Sequence, residues 1–256
     1  MYILRSMVSH RHINVPEDAV ARIRSARSVA VLTGAGVSAE SGIPTFRGPE
    51  GVWRTVDPEE VATPEAFERD PVRVWRWHRE MRQLVLRTLP NPAHRALAEL
   101  ERAYEEFTII TQNVDGLHQR AGSRKVVEVH GNILRDRCSK CGKVEDSGFW
   151  ELDVPPKCEC GGVFRPDVVW FGEPLPREAW EEAERVARGC DVFLLVGTSA
   201  SVYPAALLPR MAKEAGAYLV EVNLGPTDAT VFVDRSVFGR AGEVVPALVE
   251  AVLEGT

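Results

Sequence analysis

The chain has 256 residues, enough to bury a sizeable core, and we expect one large domain with an insertion. Its hydrophobic content of 45% and charged content of 27% are typical of a globular protein in water. No apolar run reaches the ~18 residues that a membrane-spanning helix needs, and residues 1–12 lack the apolar core of a secretory signal. The formal net charge of −6 disfavours a protein built to bind nucleic acid. We therefore expect a cytoplasmic protein whose partner is neither a membrane nor a nucleic acid.

The first predicted elements are a helix over residues 16–27 and a buried strand over 29–32, which runs into a glycine-rich turn. Gly34, Gly36 and Ala39 match the G-x-G-x-x-G/A pattern of dinucleotide-binding folds, in which the second glycine lets the backbone approach a pyrophosphate at a helix N-terminus. A glycine turn after a strand is about as often a plain connection. Residues 42–49 then contain prolines, an aromatic residue and an arginine where an ordinary unit has its second strand, so we expect a loop there.

Residues 51–90 differ in character, because they contain tryptophans and prolines and few β-branched runs. Thr63 and Asp70 each precede a proline and are typical helix caps. We therefore predict a small helical insertion with helices that begin at Pro64 and Pro71. Clustered tryptophans are more often core residues than ligand contacts, by roughly three to one.

Polar residues follow the next predicted strand. A helix over 92–106 precedes a buried strand over 107–111, and Gln112, Asn113 and Asp115 come directly after it. Open α/β sheets bind ligands at the carboxyl ends of parallel strands, and these side chains suit a carboxamide and ribose hydroxyls. The alternative is a capped turn, since Asn, Asp and Gly are common turn residues.

His130 follows a further predicted strand, residues 125–129, and precedes a glycine. A single histidine is structural roughly two times in three, but this one stands at the same edge of the sheet as the polar residues above. Its ordinary pKa near neutrality makes it a usable general base. His94 lies within the predicted helix over 92–106 and is interpreted as structural.

Four of the five cysteines lie close together, as a C-x-x-C pair and a C-x-C pair. They are Cys138, Cys141, Cys158 and Cys160. This spacing predicts a zinc ribbon with one structural Zn²⁺, because four thiolate ligands leave no position for a water. We expect the glycines at 161 and 162 to help the chain turn. Cys190 opens a predicted strand and is interpreted as a buried apolar residue.

Residues 165–174 have an extended apolar centre, which fits either a core strand or an exposed edge that takes an added peptide strand. The last third alternates between helix and strand: helix 176–188, strand 192–196, helix 204–215, strand 217–222 and helix 243–253. Gly197, Thr198 and Ser199 form a second strand-to-turn site suited to phosphate or ribose. This alternation predicts a Rossmann-like parallel sheet with helices on both faces.

Together these motifs resemble the sirtuins, the silent information regulator family of NAD-dependent protein-lysine deacylases. Residues 34–47 resemble the signature G-A-G-x-S-x-x-S-G-I-P-x-F-R in full, residues 112–118 resemble Q-N-x-D-x-L-H, and His130 lies in V-x-H-G. Residues 165–173 resemble R-P-x-V-V-W-F-G-E, and G-T-S, an asparagine after the penultimate strand and G-x-A-G complete the set. The C-x-C pair departs from the commoner C-x-x-C of the family, which leaves the geometry of that knuckle open.

The resemblance implies a role for each matching position. For NAD it implies Gly34, Ala35, Gly36, Ser38, Pro44, Phe46, Arg47, Trp53, Gln112, Asn113, Val114, Asp115, Gly197, Thr198, Ser199, Asn223, Leu224, Gly225 and Ala241. For the acyl-lysine protein or peptide it implies His78, Met81, Val168, Val169, Phe171 and Gly172. It implies that His130 is the catalytic base and that the peptide backbone pairs with the segment at 168–172.

The resemblance also implies the domain plan and the chemistry. Residues 1–47, 91–134 and 166–256 would form the NAD-binding domain, and the helical insertion at 48–90 and the zinc ribbon at 135–165 would form a small lobe. NAD would lie in the cleft between them. The acyl oxygen would attack C1′ of the NAD ribose as nicotinamide leaves, and His130 would deprotonate a ribose hydroxyl. The products would be free lysine, nicotinamide and O-acyl-ADP-ribose.

Other activities stay open at this point. A dehydrogenase fits the α/β alternation, but hydride transfer gives no task to a pocket histidine. An ADP-ribosyltransferase or an NAD glycohydrolase fits the same cleft. A nucleic-acid-binding ribbon is disfavoured because the ribbon is acidic. Its acidic residues include Glu145, Asp146, Glu151 and Asp153.

The acyl group removed is a separate question. A sirtuin subgroup that prefers malonyl- and succinyl-lysine carries Tyr-x-x-Arg in the helical insertion, where this chain has His78 and Met81. Methionine cannot pair with a carboxylate, which predicts an apolar pocket for acetyl-lysine or longer aliphatic acyl groups. The competing interpretation is that His78 and Arg82, at i and i+4 on the helix, rebuild the anion site.

Overall fold

The computed structural model describes residues 13–46, 51–146 and 151–254, so the predicted NAD contact Arg47 lies outside the described residues. In chain order the strands are β1 (Ser28–Thr33), β2 (Glu106–Thr111), β3 (Val126–Glu128), β4 (Gly131–Cys138), β5 (Val144–Asp146), β6 (Phe164–Val168), β7 (Val192–Val196), β8 (Tyr218–Asn223) and β9 (Arg235–Phe238). The α-helices are α1 (Glu17–Ser25), α2 (Pro58–Val61), α3 (Pro64–Arg69), α4 (Pro71–Arg87), α5 (Pro92–Glu101), α6 (Leu117–Arg120), α7 (Arg177–Gly189), α8 (Leu208–Glu214) and α9 (Ala241–Leu253).

The main sheet of the described chain has six strands in the order β3-β2-β1-β7-β8-β9, and all neighbours are parallel. Every residue of β1 and of β7 is buried, which is why both read as nearly continuous apolar runs. Helices α1, α5 and α9 cover one face, where Ile23, Leu97 and Val245 join one apolar cluster. Helices α7 and α8 cover the other face through Ala183 and Leu208. The predicted Rossmann-like sheet with helices on both faces is confirmed.

The helical insertion contains α2, α3 and α4. The Thr63 side chain accepts a hydrogen bond from Ala66 N at 3.0 Å, and Asp70 accepts one from Arg73 N at 3.0 Å, so both predicted helix caps are confirmed. These caps satisfy amides that the first helical turn leaves without partners. The insertion is held to the rest of the chain by an apolar cluster. Its buried members are Val61, Ala62, Ala66, Phe67, Val74 and Trp170.

A second, antiparallel sheet has the order β5-β4-β6 among the described residues. Strand β4 crosses the expected boundary at residues 134–135, so that one strand joins His130 to Cys138. The extended segment predicted within 165–174 is a strand only as far as Val168. Beyond it the chain bends, and Phe171 N donates to Ala62 O at 2.9 Å.

Other elements also differ from the sequence prediction. Strand β9 is absent from it, because four residues at a sheet edge with one buried side chain carry little apolar pattern. Helix α5 ends at Glu101 rather than at 106, where the main chain tightens into i→i+3 hydrogen bonds such as Ala103 N to Leu100 O at 3.0 Å. Helix α8 starts only after a 3₁₀ turn, Ala205–Leu207. Within the described residues, no helix combines the length and apolar character that crossing a membrane requires.

Candidate active site

The predicted ligand-binding motifs meet at one edge of the main sheet, where β1, β2, β7 and β8 end. Gln112 follows β2, and its main-chain N–H donates to Thr33 O at 3.0 Å. Its side-chain Nε2 donates to Thr198 Oγ1, after β7, at 2.8 Å. Asn223, at the end of β8, donates from Nδ2 to Thr198 O at 2.8 Å. Loops from four parallel strands therefore form one hydrogen-bonded edge, the place where open α/β sheets bind ligands.

The glycine turn after β1 packs directly against the turn after β7. Gly36 N donates to Gly197 O at 2.9 Å, and a Cβ on Gly36 would lie 2.8 Å from Gly197 Cα. Gly197 has φ +62°, and a Cβ there would lie 2.3 Å from Val37 N. Both glycines are thus required by the contact between the two turns.

The predicted helix N-terminus for a pyrophosphate is absent at this turn. Two 3₁₀ turns, Ala35–Val37 and Ala39–Ser41, follow the glycines in place of an α-helix. The reason is that Ser38 points inward and its main-chain carbonyl accepts the amides of Ser41 and Ile43, which ends the helical path. This corrects the expectation drawn from the G-x-G-x-x-A pattern.

Ser38 lies at the centre of a buried polar network. Its Oγ donates to Asp115 Oδ2 at 2.7 Å and accepts from Asn113 Nδ2 at 3.1 Å. The other Asp115 oxygen accepts from Leu117 N at 2.9 Å. Burial raises the pKa of the Asp115 carboxyl above its ordinary value, although the bonds from Leu117 and Ser38 act in the opposite direction. Ser38 of the motif at 34–47 and Asn113 and Asp115 of the motif at 112–118, far apart in sequence, are therefore fixed to each other.

His94, on α5, completes the network around Ser38. Asn91 N donates to His94 Nδ1 at 3.3 Å, so Nε2 carries the proton, and it lies 3.4 Å from Ser38 Oγ. Burial lowers the pKa of His94 to about 4, which keeps the ring neutral. The sequence indicated a structural histidine, but nothing in it predicts the contact with Ser38. The position of His94 in the first helical turn was predictable, because Asn91 caps α5 and Pro92 follows it.

A second buried histidine lies behind the same loop. His118 Nε2 is 3.0 Å from Thr33 Oγ1, which itself donates to Thr111 Oγ1 at 2.8 Å. Asn113 N also donates to Thr111 Oγ1, at 3.0 Å. Burial holds the pKa of His118 well below its ordinary value. Thr33 and Thr111 were not among the predicted site residues. The structure shows that they help to hold the motif at 112–118 in place through their contacts with His118 and Asn113.

His130 stands where β3 gives way to β4, half-buried at the edge. Its Nδ1 lies 2.9 Å from Gln112 O, and because a carbonyl oxygen only accepts, Nδ1 is protonated and Nε2 holds the lone pair. Burial lowers the pKa of His130, against the opposing effect of the Gln112 carbonyl. The next residue must be glycine, since Gly131 has φ +80° and a Cβ there would lie 2.1 Å from Asp167 O. A neutral imidazole with a free Nε2 is a competent general base.

An apolar cluster adjoins this edge on the side of the helical insertion. Met81, on α4, packs with Val114 and Val168 against Ile43 and Ile133. Two of the predicted substrate residues, Met81 and Val168, are therefore brought together. The cluster joins the motif at 112–118 to the end of β6, next to the predicted peptide-binding segment.

Aromatic residues extend this apolar wall. Trp53 stacks on Phe46 with ring centroids 5.3 Å apart and on Trp77 at 5.6 Å. Phe171, which is 43% exposed, meets Trp53 edge-on at 5.9 Å. Offset and edge-on contacts of this kind are the favoured arrangements of aromatic pairs. Phe46, Trp53 and Phe171 were predicted from three separate stretches, and the structure gathers them in one group.

The predicted contact of His78 with the acyl-lysine is wrong, because His78 is buried and not available to a substrate. It is 3% exposed, donates from Nδ1 to Val74 O at 2.9 Å, and accepts at Nε2 from Trp170 Nε1 at 3.2 Å. Burial lowers the pKa of His78 to about 3, so the ring is neutral. Both ring nitrogens are engaged, and His78 is a packing residue of the insertion.

Arg82 is also engaged within the protein. Its Nη2 lies 2.6 Å from Asp136 Oδ1, and the two side chains are 2% and 0% exposed. Its Nε donates to Ile133 O at 2.6 Å. The anion site postulated for His78 with Arg82 therefore has neither group free.

The other predicted NAD positions lie on loops around the edge, except Asn223 at the end of β8 and Ala241, which is the first residue of α9. Ser199 and Leu224 are exposed, whereas Ala241 is buried at the start of α9. The half-buried ones are Ala35, Gly36, Pro44, Phe46, Trp53, Val114, Gly197, Asn223 and Gly225. Gly242 N, next to Ala241, donates to Glu40 Oε2 at 2.6 Å, a contact that no local pattern predicts. It ties the start of α9 to the turn after the glycines.

The predicted peptide-binding segment lies alongside His130. Val169 N donates to His130 O at 2.9 Å, and Gly172 is exposed. Strand β6, which leads into this segment, is an edge strand of the second sheet. An edge strand presents backbone groups with which an added strand can pair.

The four cysteines form one cluster whose sulfur atoms all lie within 4.8 Å of one another. Cys138 Sγ is 3.4 Å from Cys160 Sγ, and Cys141 Sγ is 3.8 Å from Cys158 Sγ. Four sulfurs at ~2.3 Å from a tetrahedral Zn²⁺ would be ~3.8 Å apart, so the cluster fits that ion. A Cβ on Gly162 would lie 2.7 Å from Cys138 Sγ, which shows that this glycine makes room for sulfur.

A separate cavity of about 460 Å³ lies in the helical insertion, away from the sheet edge. Several of its charged groups are engaged within the protein, since Asp57 and Asp70 cap helices and Glu60 pairs with Arg73. We therefore place the functional site at the sheet edge.

Comparison with known proteins agrees with this arrangement. The sequence profile of the Sir2 family matches residues 34–204. NAD-dependent protein deacylase 2 of Pyrobaculum aerophilum is 58% identical over 231 residues, which cover 90% of this chain and 93% of that protein. A Sir2 homologue solved in complex with NAD has 44% identity and a TM-score of 0.90, covering 94% of this chain and 95% of that chain. Sir2Af2, solved with a myristoylated histone peptide, has 41% identity and a TM-score of 0.76, covering 93% and 95%. The chain belongs to the Sir2 family, the sirtuins.

Proposed function

We propose that the protein is an NAD-dependent protein-lysine deacylase, which moves the acyl group of a modified lysine to ADP-ribose and releases nicotinamide. The observation that carries the proposal is the neutral His130, whose Nε2 lone pair stands at the same sheet edge as the Asn113–Asp115 loop. The names of its relatives support it, since the Pyrobaculum aerophilum protein is called an NAD-dependent protein deacylase.

The groups at the sheet edge suit NAD. Gln112, Asn113, Thr198 and Asn223 supply amide and hydroxyl groups, and Asp115 supplies a carboxylate, the set that ribose hydroxyls and a carboxamide can bind. NAD would supply the activated C1′ carbon of its ribose. The bond from this carbon to nicotinamide would break, and the acyl oxygen would form a bond to it. The complex of a 44% identical Sir2 homologue with NAD supports this assignment.

His130 would act as the general base. Its Nδ1–H is held by Gln112 O, so the ring is oriented and Nε2 can accept a proton from a ribose hydroxyl. Burial lowers the pKa of His130, which keeps the base unprotonated at neutral pH. The gain in rate comes from holding the reacting groups in line in a pre-organised site.

Asn113 and Asp115 would act on the nicotinamide side of NAD, and Ser38 would orient them. All three hydrogen-bonding positions of the Ser38 hydroxyl are used by Asp115, Asn113 and His94. We therefore assign Ser38 to the support of this loop rather than to direct contact with NAD.

The acyl-lysine would enter along the aromatic wall and Val168, and its acyl group would meet Met81. This pocket favours acetyl-lysine and longer aliphatic acyl groups, because the described residues that pack around Met81 are apolar and Arg82 is neutralised by Asp136. The complex of Sir2Af2 with a myristoylated histone peptide supports an aliphatic acyl group as a possible substrate.

One Zn²⁺ per chain would be held by Cys138, Cys141, Cys158 and Cys160, whose spacing fits tetrahedral coordination. Four protein ligands leave no open position, so its part is structural. Free thiols arranged as metal ligands are typical of a reducing compartment, and a cytoplasmic location remains our prediction. The division into an NAD-binding domain and a small lobe, with β4 shared between them, likewise remains a proposal.

The proposal is tested by measuring nicotinamide release with NAD and an acetyl-lysine peptide. We expect release to require the acetyl group, so that the same peptide with unmodified lysine gives only background. Equal release with either peptide would support an NAD glycohydrolase instead.

A further inference from the structure

The role of Arg82 goes beyond an ion pair with Asp136. Its guanidinium donates to three acceptors on β4: Ile133 O at 2.6 Å, Arg135 O at 3.4 Å and Asp136 Oδ1 at 2.6 Å. A buried pair often contributes little to stability compared with apolar residues of the same size. A planar fork that satisfies main-chain carbonyls as well as a carboxylate has a geometric task, which an ammonium group cannot reproduce.

The three acceptors lie at an irregularity in β4. Asn132 pairs with Asp167 of β6, but the next pair is Asp136 with Pro166, so residues 133–135 have no counterparts on β6. Such a bulge leaves backbone groups without ladder partners. Arg82 supplies donors to the carbonyls at both ends of this bulge, Ile133 and Arg135; Arg135 faces Asp146 of β5 on its other side.

The same bulge holds the loop of the candidate active site. Ile133 N donates to Val114 O at 2.8 Å. Val114 lies between Asn113 and Asp115, the two residues assigned to the nicotinamide side of NAD. A single residue, Ile133, therefore connects Arg82 to this loop, with its carbonyl bonded to Arg82 and its amide bonded to Val114. In addition, β4 begins directly after His130.

We infer that Arg82 is a positioning residue of the active site, which fixes the β4 bulge and through it the Asn113–Asp115 loop. The inference rests on the proposed function for its catalytic consequence, but the mechanical link from Arg82 to Val114 stands on the contacts alone. A displacement of ~1 Å in a reacting group can cost on the order of 10²-fold in rate. We therefore expect that a change at Arg82 lowers turnover even where the chain stays folded and keeps its zinc.

Arg79 provides a matched control on the same helix. It lies one turn before Arg82 and also pairs with an aspartate of the ribbon segment, Asp153, at 2.6 Å. Asp153 lies outside the β4 bulge and is largely exposed. Replacing each arginine by lysine makes the same chemical change on one helix, but only at Arg82 does it touch the bulge.

The experiment compares Arg82→Lys with Arg79→Lys in the full-length, zinc-loaded protein. For Arg82→Lys we expect kcat with an acetyl-lysine peptide to fall by ~10–100-fold, with a smaller change in KM, and the Ile133 amide to exchange with deuterium faster than in the parent. For Arg79→Lys we expect both quantities to match the parent. Zinc content should remain one per chain in both variants.

A double variant separates positioning from folding. Arg82→Met with Asp136→Leu removes the buried pair without leaving an unpaired charge, a change that proteins often tolerate. We expect this variant to fold with its zinc and still to show the low kcat and fast Ile133 exchange. A parent-like kcat and Ile133 exchange in both Arg82→Lys and the double variant would overturn the inference. A parent protein without deacylase activity would refute the proposed function. Exchange of the Ile133 amide would still show whether Arg82 holds the β4 bulge against Val114.

Discussion

The Nδ1–H of His130 donates to the main-chain carbonyl of Gln112 across 2.9 Å, and this one bond decides which ring nitrogen can take up a proton. Because Nδ1 is committed, Nε2 is the nitrogen that would act as the base in the proposed reaction. The first prediction is that His130→Ala lowers deacylation by ~10²–10⁴-fold, the usual cost of losing a general base. Steady-state kinetics with an acetyl-lysine peptide measure this, and NAD affinity by calorimetry should stay near the parent value. Near-normal turnover would show that another group accepts the proton.

The second prediction concerns pH. The base must be neutral, and burial holds the pKa of His130 below its ordinary value of 6.5. Activity limited by this group is present above its folded-state pKa and is lost as the pH falls through that value. The acid limb of the kcat/KM profile should therefore have its midpoint below 6.5. A midpoint above 6.5 would contradict the assignment of that limb to a buried His130.

The third prediction concerns the metal. Chelation should remove one Zn²⁺ per chain and unfold the ribbon, with loss of activity through structure, because a structural Zn²⁺ bound by the four cysteines would supply free energy for folding the ribbon. Elemental analysis and circular dichroism measure both effects. Cys141→Ala should lose zinc, whereas Cys190→Ala, which changes a buried cysteine outside the cluster, should keep it. Freshly purified protein without bound metal would rule out this role for the cluster.

The fourth prediction concerns the loop after β2. Asp115→Ala and Asn113→Ala should each lower nicotinamide cleavage by ~10²-fold, a loss typical of removing one pre-organised polar group, while zinc stays at one per chain. Ser38→Ala should combine with Asp115→Ala less than additively, because the two side chains act as one hydrogen-bonded unit. Exchange of labelled nicotinamide into NAD is the measurement. An Asp115→Ala variant that exchanges at the parent rate would reduce the loop to a turn.

The fifth prediction concerns the acyl group. Since Arg82 is bound to Asp136, kcat/KM should favour an acetyl- over a succinyl-lysine peptide by ~10-fold or more, the cost of a buried carboxylate without a partner. Met81→Arg should narrow the ratio by offering a cation beside Val168. Matched peptides that differ only in the acyl group decide the question, and faster removal of succinyl would overturn the assignment of an apolar pocket.

Much of the fold could be predicted because it depends on local pattern. Strands such as β1 and β7 are buried on both faces and appear as short apolar runs, and Thr63 and Asp70 are helix caps that act within three residues. The motifs also indicated which loops meet, since the carboxyl ends of parallel strands share one edge. Local sequence was therefore enough for the architecture and for the sheet edge at which the motifs meet.

Contacts between distant side chains could not be predicted in the same way. Arg82 and Asp136 are 54 positions apart, and Ser38 and Asp115 are 77 apart, so no local pattern relates them. The β4 bulge has no signature of its own, because residues 133–135 fit a strand as well as an irregularity. His78 was misplaced for the same reason: helix spacing fixes its direction on α4, but its partner, Trp170, comes from the segment after β6.

The most direct test of the whole account is to follow the acetyl group. The protein is incubated with NAD and an acetyl-lysine peptide, and all products are weighed by mass spectrometry. We predict that each nicotinamide released is matched by one deacetylated peptide and by one ADP-ribose that carries the acetyl group. Free ADP-ribose with the acetyl peptide unchanged, or a peptide that has gained ADP-ribose, would contradict the account.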